Sequence, residues 1–355
     1  MSAIPTTFRS IPFAKLMKRY KAGSLPMSGY SWAEAEDVRM PFRLATVPGG
    51  IINRVFHLAV PESAELVMSE QNKGFRKSAP GFSPLGEAQF ERIGELRHEA
   101  GRVLVVGGMK NHWHFLVNFL PRLQYAEQLL ERSAYDRIML HDNPSGFQAE
   151  LLTRMGLDEI TCHNPQGDDL VSFDEVHYPS MLHNVVLSAD ALARTREMIW
   201  KLVPETPSAF GDRLLLERAG DKPSRRFSNG EGVRQTLEAM DFTAIRNEDL
   251  SFDEQVNAYR SASVVVAGHG AGLSNMVFCR PGTDVLIFEY KWPSEMYGLA
   301  RQLGLNPHVI LCRQDIDETF EAENPGFSFR HRDLVVNMKQ LHASLTGIFD
   351  RRQRA

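Results

Sequence analysis

The chain of 355 residues is long enough for two domains, each with a hydrophobic core of its own. Its formal net charge of -4 gives no field that would attract nucleic acid, and its 43% hydrophobic and 24% charged residues are ordinary for a globular protein. The three cysteines are odd in number and lack a CxxC spacing, which argues against a disulfide framework and a cysteine-based zinc site and favours a cytoplasmic location.

The N-terminus has no apolar core of the kind that a signal peptide needs, and no run of about 18 apolar residues occurs in the chain. Residues 7–21 mix apolar side chains such as Phe8 and Phe13 with basic ones such as Lys15 and Arg19. This pattern is compatible with an interfacial helix that makes a peripheral contact at the inner face of a membrane. A terminal segment docked on its own domain is the interpretation we favour.

Before a break at 203–211, short apolar runs alternate with helical patterns. Pro121 interrupts the longest helical pattern and is expected to kink or restart that helix. The predicted strands cover 103–106, 137–141, 160–163 and 171–178, and the predicted helices cover 111–132, 148–155 and 189–202.

After the break the alternation is sharper. Two capping-box patterns, Ser228 with Glu231 and Ser251 with Glu254, predict helix starts. The predicted strands cover 213–217, 242–245, 264–267, 284–289 and 308–312, and the predicted helices cover 228–240, 251–262 and 294–303, with a short helix after 272 and a last helix over 333–349.

The break contains two prolines and a glycine among small residues, which is typical of a linker. We therefore expect an N-terminal segment 1–30, an α/β domain 31–205, a second α/β domain 206–325 and a C-terminal helix within 326–355. Strand–helix alternation predicts parallel sheets with helices on both faces, and two such halves leave a cleft between them. Ligands of such sheets bind beyond the carboxyl ends of the strands.

The most informative segment is the turn Gly268-His269-Gly270-Ala271-Gly272, which lies between an apolar strand and a helix start. Glycines let backbone N–H groups approach a ligand closely, and a helix N-terminus adds unpaired donors and partial positive charge, so the segment is typical of a diphosphate site. His269 adds a donor and, when protonated, a charge. The spacing is neither GxGxxG nor a P-loop, so a tight connection without a ligand is the alternative.

Three arginines and one acid are expected near this turn. Arg218 follows the first strand of the second half, and Arg225 and Arg226 lie in the next loop, all at the carboxyl edge of the predicted sheet. Guanidinium forks match phosphate oxygens, although a solvated loop is the alternative for the arginine pair. Glu289 ends its strand at the same edge, where it can accept hydrogen bonds from ribose hydroxyls or be an exposed strand-end acid.

In the first half, His112 and His114 stand at a predicted helix start that follows the first buried strand. Two positions apart, they cannot share one helix face, which argues against a helical His-x-x-x-His metal site. A histidine is suited to act as a general base near neutral pH, and a helix-start histidine bonded to local backbone is the alternative. Arg122, next to Pro121, either faces the cleft or simply follows the bend.

Two blocks together resemble glycosyltransferase family 61, which is found in bacterial polysaccharide clusters and in eukaryotic glycan synthesis. The resemblance runs from about residue 100 to about residue 290. In the first block, the family's Asn-x-x-His…Leu-Pro-Arg-Leu run is matched by Asn111, His114, Pro121, Arg122 and Leu123. In the second block, the family's long C-terminal pattern is matched by Arg218, Ser224-Arg225-Arg226, Asn229, Glu231, the segment 248–255 and His269-Gly270-Ala271-Gly272-Leu273-Ser274-Asn275.

The resemblance implies a GT-B-like fold, in which two Rossmann-like domains face a cleft. It implies an inverting, metal-independent transfer of a hexosyl or pentosyl group from a UDP- or GDP-linked nucleotide-sugar, without a further cofactor. The acceptor is a glycan or a lipid-linked glycan, in bacterial surface polysaccharide synthesis. From the residues and the resemblance together, we expect the donor to be bound by Arg218, Arg225, Arg226, His269, Gly270, Ala271, Gly272 and Glu289. The residues expected at the catalytic site are His114, Asn111 and His112, and those expected on the acceptor side, within 31–205, are Arg122 and Asn118.

One position departs from the family. Many members have Asp or Glu where Asn118 stands, and an amide cannot be a general base. His114 or another residue of the cleft is therefore expected to take the proton from the acceptor hydroxyl. A non-catalytic, glycan-binding relative stays an alternative for this reason. A polysaccharide pyruvyl transferase, which would use phosphoenolpyruvate in place of a nucleotide, is the other.

Two acidic pairs are candidate metal ligands. Asp315 and Asp317 have the Asp-x-Asp spacing of metal-dependent sugar transferases, and Asp168 with Asp169 forms a second pair. Both pairs lie in polar stretches and are interpreted as surface acids. The predicted site therefore holds no metal, and arginines with a helix N-terminus are expected to neutralise the leaving diphosphate.

Overall fold

The computed structural model describes residues 31–35, 42–53, 58–60, 65–67, 96–108, 111–141, 144, 146–166, 169–179, 189–217, 226–292, 294–315 and 332–354. The chain divides into two compact units, Met1–Thr195 and Arg196–Ala355. Both units combine strands and helices, which confirms the α/β class, while the GT-B-like arrangement stays a prediction. The amphipathic segment 7–21 lies outside the described residues. None of the described helices is long and apolar enough to cross a membrane.

The first unit contains the strands β1 (Ser31–Ala35), β2 (Phe42–Pro48), β3 (Ile51–Asn53), β4 (Leu58–Val60), β5 (Glu65–Val67), β6 (Leu96–Gly107), β7 (Arg137–Leu140), β8 (Thr161–His163) and β9 (Leu170–Pro179). Its helices are α1 (His112–His114), α2 (Leu120–Leu129), α3 (Gly146–Arg154) and α4 (Ala189–Leu202), the last of which continues across the division into the second unit.

The sheet of the first unit is mixed rather than parallel. Strands β6, β7, β8 and β9 pair in parallel in the order β9-β6-β7-β8. Strands β2 and β3 pair with β9 in antiparallel fashion, and β1, β4 and β5 extend the antiparallel part. The parallel pairing predicted for the strands at 103–178 is confirmed, whereas the antiparallel strands at 31–67 were not predicted. No more than six residues separate one of these strands from the next, too few for the crossover that parallel pairing needs.

Strand β6 is buried on both faces, which explains why its apolar run is continuous. Val103 and Val105 pack in one hydrophobic cluster, and Leu104 and Val106 pack in another. Because successive side chains of a strand point to opposite faces, a strand buried on both faces needs an apolar residue at every position. The buried strand predicted at 103–106 is confirmed, as part of a longer strand.

The helix predicted over 111–132 is interrupted as Pro121 requires. Asn111 caps α1, since its side-chain oxygen accepts a hydrogen bond from the N–H of His114. A π-helical stretch, Phe115–Phe119, then widens the turn before α2 begins. Pro121 has no N–H to donate to the carbonyl four residues earlier, and its ring crowds that carbonyl. The wider turn accommodates this proline, and the helix ends at Leu129.

The second unit contains the strands β10 (Arg213–Leu216), β11 (Thr243–Ile245), β12 (Val264–Gly268), β13 (Asp284–Glu289), β14 (Asn306–Leu311), β15 (Arg313–Gln314) and β16 (Leu334–Val335). Its helices are α5 (Gly230–Glu238), α6 (Phe252–Ser261), a 3-10 helix (Ala271–Phe278), α7 (Glu295–Gln302) and α8 (Met338–Arg354).

Five strands of this unit form a wholly parallel sheet in the order β11-β10-β12-β13-β14. From β10 the chain first adds β11 on one side of β10, and it then crosses to add β12 on the other side. In a parallel sheet, the crevice at such a reversal, beyond the carboxyl ends of the strands, is the usual ligand site. The prediction of a parallel sheet is confirmed for this unit, and the reversal lies between β10 and β12.

The C-terminal segment packs onto this sheet. Leu341, Leu345 and Ile348 of α8 join the hydrophobic cluster of the parallel sheet, together with Val233 and Leu237 of α5. The last helix was expected from residue 333, but residues 334–335 form β16, which pairs with β15, and α8 begins at Met338.

Only one of the two predicted capping boxes forms. Ser251 and Glu254 make both reciprocal hydrogen bonds at the start of α6. The box of Ser228 with Glu231 was wrong, because α5 begins after Asn229 and the Ser228 hydroxyl donates to Asp315.

Candidate functional site

The glycine-rich turn that the sequence singled out, 268–272, lies at the carboxyl edge of the parallel sheet. Ala267 pairs with Leu216 on one side, and Gly268 pairs with Phe288 on the other, so β10, β12 and β13 end at one level. The N–H of His269 donates to the carbonyl of Phe288 at 2.9 Å, which anchors the turn at the sheet edge. The turn 268–272 therefore lies beside the reversal point of the strand order.

The turn leads directly into a helix N-terminus. The 3-10 helix begins after Gly270, and the N–H of Leu273 bonds to the carbonyl of Gly270. The first N–H groups of a helix, here those of Ala271 and Gly272, have no acceptor within it. Such donors, together with the helix dipole, attract an anion.

Two glycines of the turn allow close contacts that a side chain would prevent. A Cβ atom at Gly268 would lie 3.0 Å from the ring of Phe227, and one at Gly272 would lie 3.3 Å from the Asn247 side chain. Asn247 donates to the carbonyl of Gly272 at 2.9 Å and accepts from the hydroxyl of Tyr259. The hydrogen bonds of Asn247 with Gly272 and Tyr259 thus support the turn.

His269 is held by a buried acid. Its Nδ1 atom lies 3.0 Å from both carboxylate oxygens of Glu289, and the hydroxyl of Ser294 donates to Oε1 of the same carboxylate. None of the Glu289 side chain is exposed to solvent, so the alternative of an exposed strand-end acid is excluded. The ring of Tyr290 packs edge-on against the ring of His269, with centroids 5.1 Å apart.

A cavity of about 280 Å³ lies near this edge of the sheet, although none of residues 268–272 lines it. Phe227 connects the two features, since its ring contacts Gly268 and also lines the cavity. Apart from Arg226, the remaining lining residues come from the end of β10, the start of α5 and the end of β11: Leu215, Glu217, Gly230, Glu231, Val233, Arg234 and Arg246.

Arg226 lines this cavity, whereas Arg218 and Arg225 lie outside the described residues. The backbone N–H of Arg226 donates to Asp333 at 2.7 Å, and its Nε atom lies 3.3 Å from the other carboxylate oxygen. The carbonyl of Arg226 accepts from the N–H of Leu334. Arg226 is therefore fixed next to β16.

In the first unit, His114 and Asn118 form a hydrogen-bonded pair. The Nδ1 atom of His114 lies 2.8 Å from the Asn118 side-chain oxygen. Burial lowers the pKa of His114 below its ordinary value of 6.5, and the hydrogen bond with Asn118 opposes this only in part. The imidazole is thus neutral at physiological pH, as a general base must be.

Comparison with known proteins identifies the segment that carries both sets of residues. The family model described as Glycosyltransferase 61 matches residues 112–286. This segment belongs to glycosyltransferase family 61. The match includes His114 and Asn118, the cavity-lining residues and the whole turn 268–272, and it ends before Glu289. A search of curated proteins returned no match.

The structure corrects one residue of the family 61 motif. Arg122 was expected on the acceptor side, yet only 1% of its surface is exposed. Its guanidinium donates to the carbonyl of Val106 at 2.6 Å and to that of Pro179 at 2.7 Å, and it lies over the ring of Tyr178. Burial lowers its pKa to about 10. Arg122 therefore ties α2 to the ends of β6 and β9.

Two other residues predicted at the catalytic site support the helix start. Asn111 is the cap of α1, and the ring of His112 packs edge-on against that of Phe147, with centroids 4.9 Å apart. Among the residues that the structure describes, no group of three or more His, Cys, Asp or Glu side chains is arranged to hold a metal ion. Asp315 accepts from Ser228, while Asp168 and Asp317 lie outside the described part.

Sequence reasoning missed the residues that support the turn. Phe227, Asn247 and Ser294 contact the turn or its buried acid from three different segments. Ser294 alone gave a local signal, since it also caps α7 by accepting from the N–H of Tyr297. The contacts of Phe227 and Asn247 are tertiary, and no spacing within the sequence encodes them.

Proposed function

We propose that this protein transfers a sugar from a nucleotide-sugar to a hydroxyl of a glycan acceptor, with the donor bound at the carboxyl edge of the second unit's sheet. Membership of the matched segment in glycosyltransferase family 61 supports the general activity. The observation that carries the donor site is the turn 268–272 at the reversal point of the strand order, together with a cavity of about 280 Å³ that is lined by Phe227, whose ring contacts Gly268.

The diphosphate of the donor is assigned to the turn. Gly268 and Gly272 let Phe227 and Asn247 pack closely against the turn, and the N–H groups of Ala271 and Gly272 open the 3-10 helix. Negative charge that develops on the leaving diphosphate would meet fixed donors there, which is the largest electrostatic contribution available to such a transfer. Arg218 and Arg225 are proposed to add positive charge.

The nucleoside part of the donor is assigned to the cavity. Its volume is close to the lower end of the range for small-molecule sites. Glu217 and Glu231 line it and can accept hydrogen bonds from ribose hydroxyls, while Arg226 and Arg246 supply donors. Because Glu289 is buried against His269, the two cavity acids are better ribose ligands than Glu289, to which the sequence assigned that contact.

His114 is proposed as the base that activates the acceptor hydroxyl. The amide oxygen of Asn118 can only accept, so Nδ1 of His114 carries the proton and Nε2 keeps a lone pair. In the proposed inverting step, Nε2 takes the proton of the hydroxyl, the hydroxyl oxygen bonds to the anomeric carbon, and the bond to the diphosphate breaks with its electron pair. The absence of a metal requirement and a role in bacterial surface polysaccharide synthesis are part of the proposal.

The two alternatives differ in what the protein binds. A pyruvyl transferase would bind phosphoenolpyruvate, and the family assignment favours a glycosyltransferase over it. A non-catalytic relative would bind the donor without transfer. A thermal-shift panel of UDP, GDP, CMP and phosphoenolpyruvate, followed by donor hydrolysis and transfer across an acceptor panel, separates the three.

Calorimetry with the nucleotide that stabilises the protein tests the donor site. The double variant Arg225→Ala/Arg226→Ala is expected to bind it about 10-fold to 100-fold more weakly, as for loss of charge-assisted hydrogen bonds. Arg301→Ala is the control, because Arg301 is an exposed arginine in the last turn of α7, away from the cavity lining. Unchanged affinity in the double variant would refute the arginine contribution.

A further inference from the structure

Glu289 is an acid whose position is hard to explain by packing alone. It is the last residue of β13, and none of its side chain reaches solvent. An ionised carboxylate in such a place needs a counter-charge or several hydrogen bonds. Ser294 donates to Oε1, whereas Oε2 receives no hydrogen bond, although it lies 3.0 Å from Nδ1 of His269.

The other charged side chains near the ring of His269, Lys291 and Glu295, leave the negative charge of Glu289 without a second counter-charge. Lys291 lies over the ring of Tyr290 but donates to Glu295 at 2.9 Å, so its charge is already matched. Burial opposes ionisation of Glu295, yet its pKa is lowered by the hydrogen bond from Lys291 and by the charge of His269. The carboxylates of Glu289 and Glu295 therefore lie near His269, and the lysine beside them is already paired with Glu295.

The ring of His269 has one nitrogen engaged and one available. Nδ1 faces Glu289, and in the described part of the chain Nε2 makes no hydrogen bond. The side chain is 11% exposed, and the residue directly precedes Gly270, after which the 3-10 helix begins. The Nε2–H group of His269 is thus available at the turn as a hydrogen-bond donor.

We infer that Glu289 is a positioning residue that holds His269 as an imidazolium, whose Nε2–H binds the donor's diphosphate. The inference rests on the proposed function. It changes the role of Glu289 from a ribose ligand to a support for His269. When the bond between the anomeric carbon and the diphosphate breaks, the electron pair stays on the diphosphate oxygen, His269 keeps its proton, and its positive charge stabilises the leaving group.

Three variants test this. Glu289→Gln keeps the shape and the acceptor oxygen for Ser294 but removes the charge. We expect both Glu289→Gln and His269→Gln to bind UDP or GDP about 10-fold to 100-fold more weakly and UMP or GMP with a smaller loss. The double variant should be no weaker than His269→Gln, because Glu289 acts through the histidine. A purely structural role would lower the affinity for all of these nucleotides equally.

A spectroscopic measurement needs no nucleotide and no activity. Long-range ¹⁵N–¹H NMR of the full chain should show protons on both ring nitrogens of His269 in the wild type at neutral pH, and one proton in Glu289→Gln. A neutral His269 in the wild type, or UDP and GDP affinity unchanged in Glu289→Gln, overturns the inference. A doubly protonated His269 in a protein that binds neither UDP nor GDP supports the pair and refutes the proposed function instead. If Glu289→Gln does not fold, the wild-type spectrum and His269→Gln decide.

Discussion

The Nδ1 atom of His114 lies 2.8 Å from the side-chain oxygen of Asn118, four residues further along the chain. The π-helical stretch Phe115–Phe119 lies between α1, which contains His114, and α2, and it includes Asn118. The family resemblance led us to expect an acid at 118 and to ask how an amide could replace it. The geometry suggests that an amide there has a different task, since it fixes the tautomer of the histidine rather than taking a proton itself.

Replacing that amide by an acid should change the pH dependence of transfer. In the wild type, activity is expected to fall as the pH drops through the pKa of His114, which lies below 6.5, because protonation removes the base. In Asn118→Asp the carboxylate stabilises the imidazolium, so the acid limb of kcat/KM should move up by about 1 pH unit. The measurement is a pH profile with the donor identified by thermal shift.

The control for this profile is His114→Gln, which should lower kcat by about 10²-fold to 10⁴-fold and remove the acid limb. An Asn118→Asp profile identical to the wild-type profile would show that the pair does not set the protonation of the base.

Removing the buried guanidinium of Arg122 should cost stability rather than acceptor affinity. Arg122→Met leaves the carbonyls of Val106 and Pro179 without these donors, which is expected to lower the free energy of unfolding by on the order of 2–5 kcal/mol. Urea unfolding measures this loss. A variant of wild-type stability with a raised KM for the acceptor would instead restore the acceptor-side role.

Arg122 also shows where sequence reasoning reached its limit. For an arginine beside a helix-bending proline, the sequence allowed either a side chain that faces the cleft or one that follows the bend, and we expected it on the acceptor side. Its burial depends on two strand ends, the carbonyls of Val106 and Pro179, that are 16 and 57 residues away along the chain. Such a pairing exists only once β6 and β9 lie side by side.

The parallel sheet of the second unit was more predictable. Its strands are apolar runs such as Val264–Gly268, separated by helices with clear start signals. The antiparallel strands β3, β4 and β5 have three residues each, too few to show a periodicity. The turn 268–272 was found from its glycines, whereas the cavity that Phe227 lines depends on side chains from separate segments of the chain.

The close approach of Phe227 to Gly268 gives a third prediction. Gly268→Ala places a Cβ atom 3.0 Å from the Phe227 ring, so the ring must move, at an expected cost of about 1–3 kcal/mol in unfolding free energy. Nucleotide affinity should also fall, because the same ring lines the cavity. Gly268→Ala combined with Phe227→Leu should recover part of the affinity.

Gly298→Ala is the matched control for this substitution. Gly298 lies within α7, and a Cβ atom there meets nothing within 4 Å, so alanine should stabilise the helix by up to about 1 kcal/mol and leave nucleotide binding unchanged. Equal effects of the two substitutions on binding would mean that the contact with Phe227 does not shape the site.

The two serines that the sequence treated alike should respond differently to alanine. Ser251 caps α6, where its hydroxyl accepts from the N–H of Glu254 and the Glu254 carboxylate accepts from the N–H of Ser251. Ser251→Ala is expected to lower the free energy of unfolding by about 1 kcal/mol, because a helix N–H loses its acceptor. Ser228→Ala removes an exposed hydrogen bond to Asp315 and no cap, so its cost should stay within about 0.5 kcal/mol. Paired urea titrations measure both, and a larger loss for Ser228→Ala would mean that its bond to Asp315 is what holds the start of α5 in place.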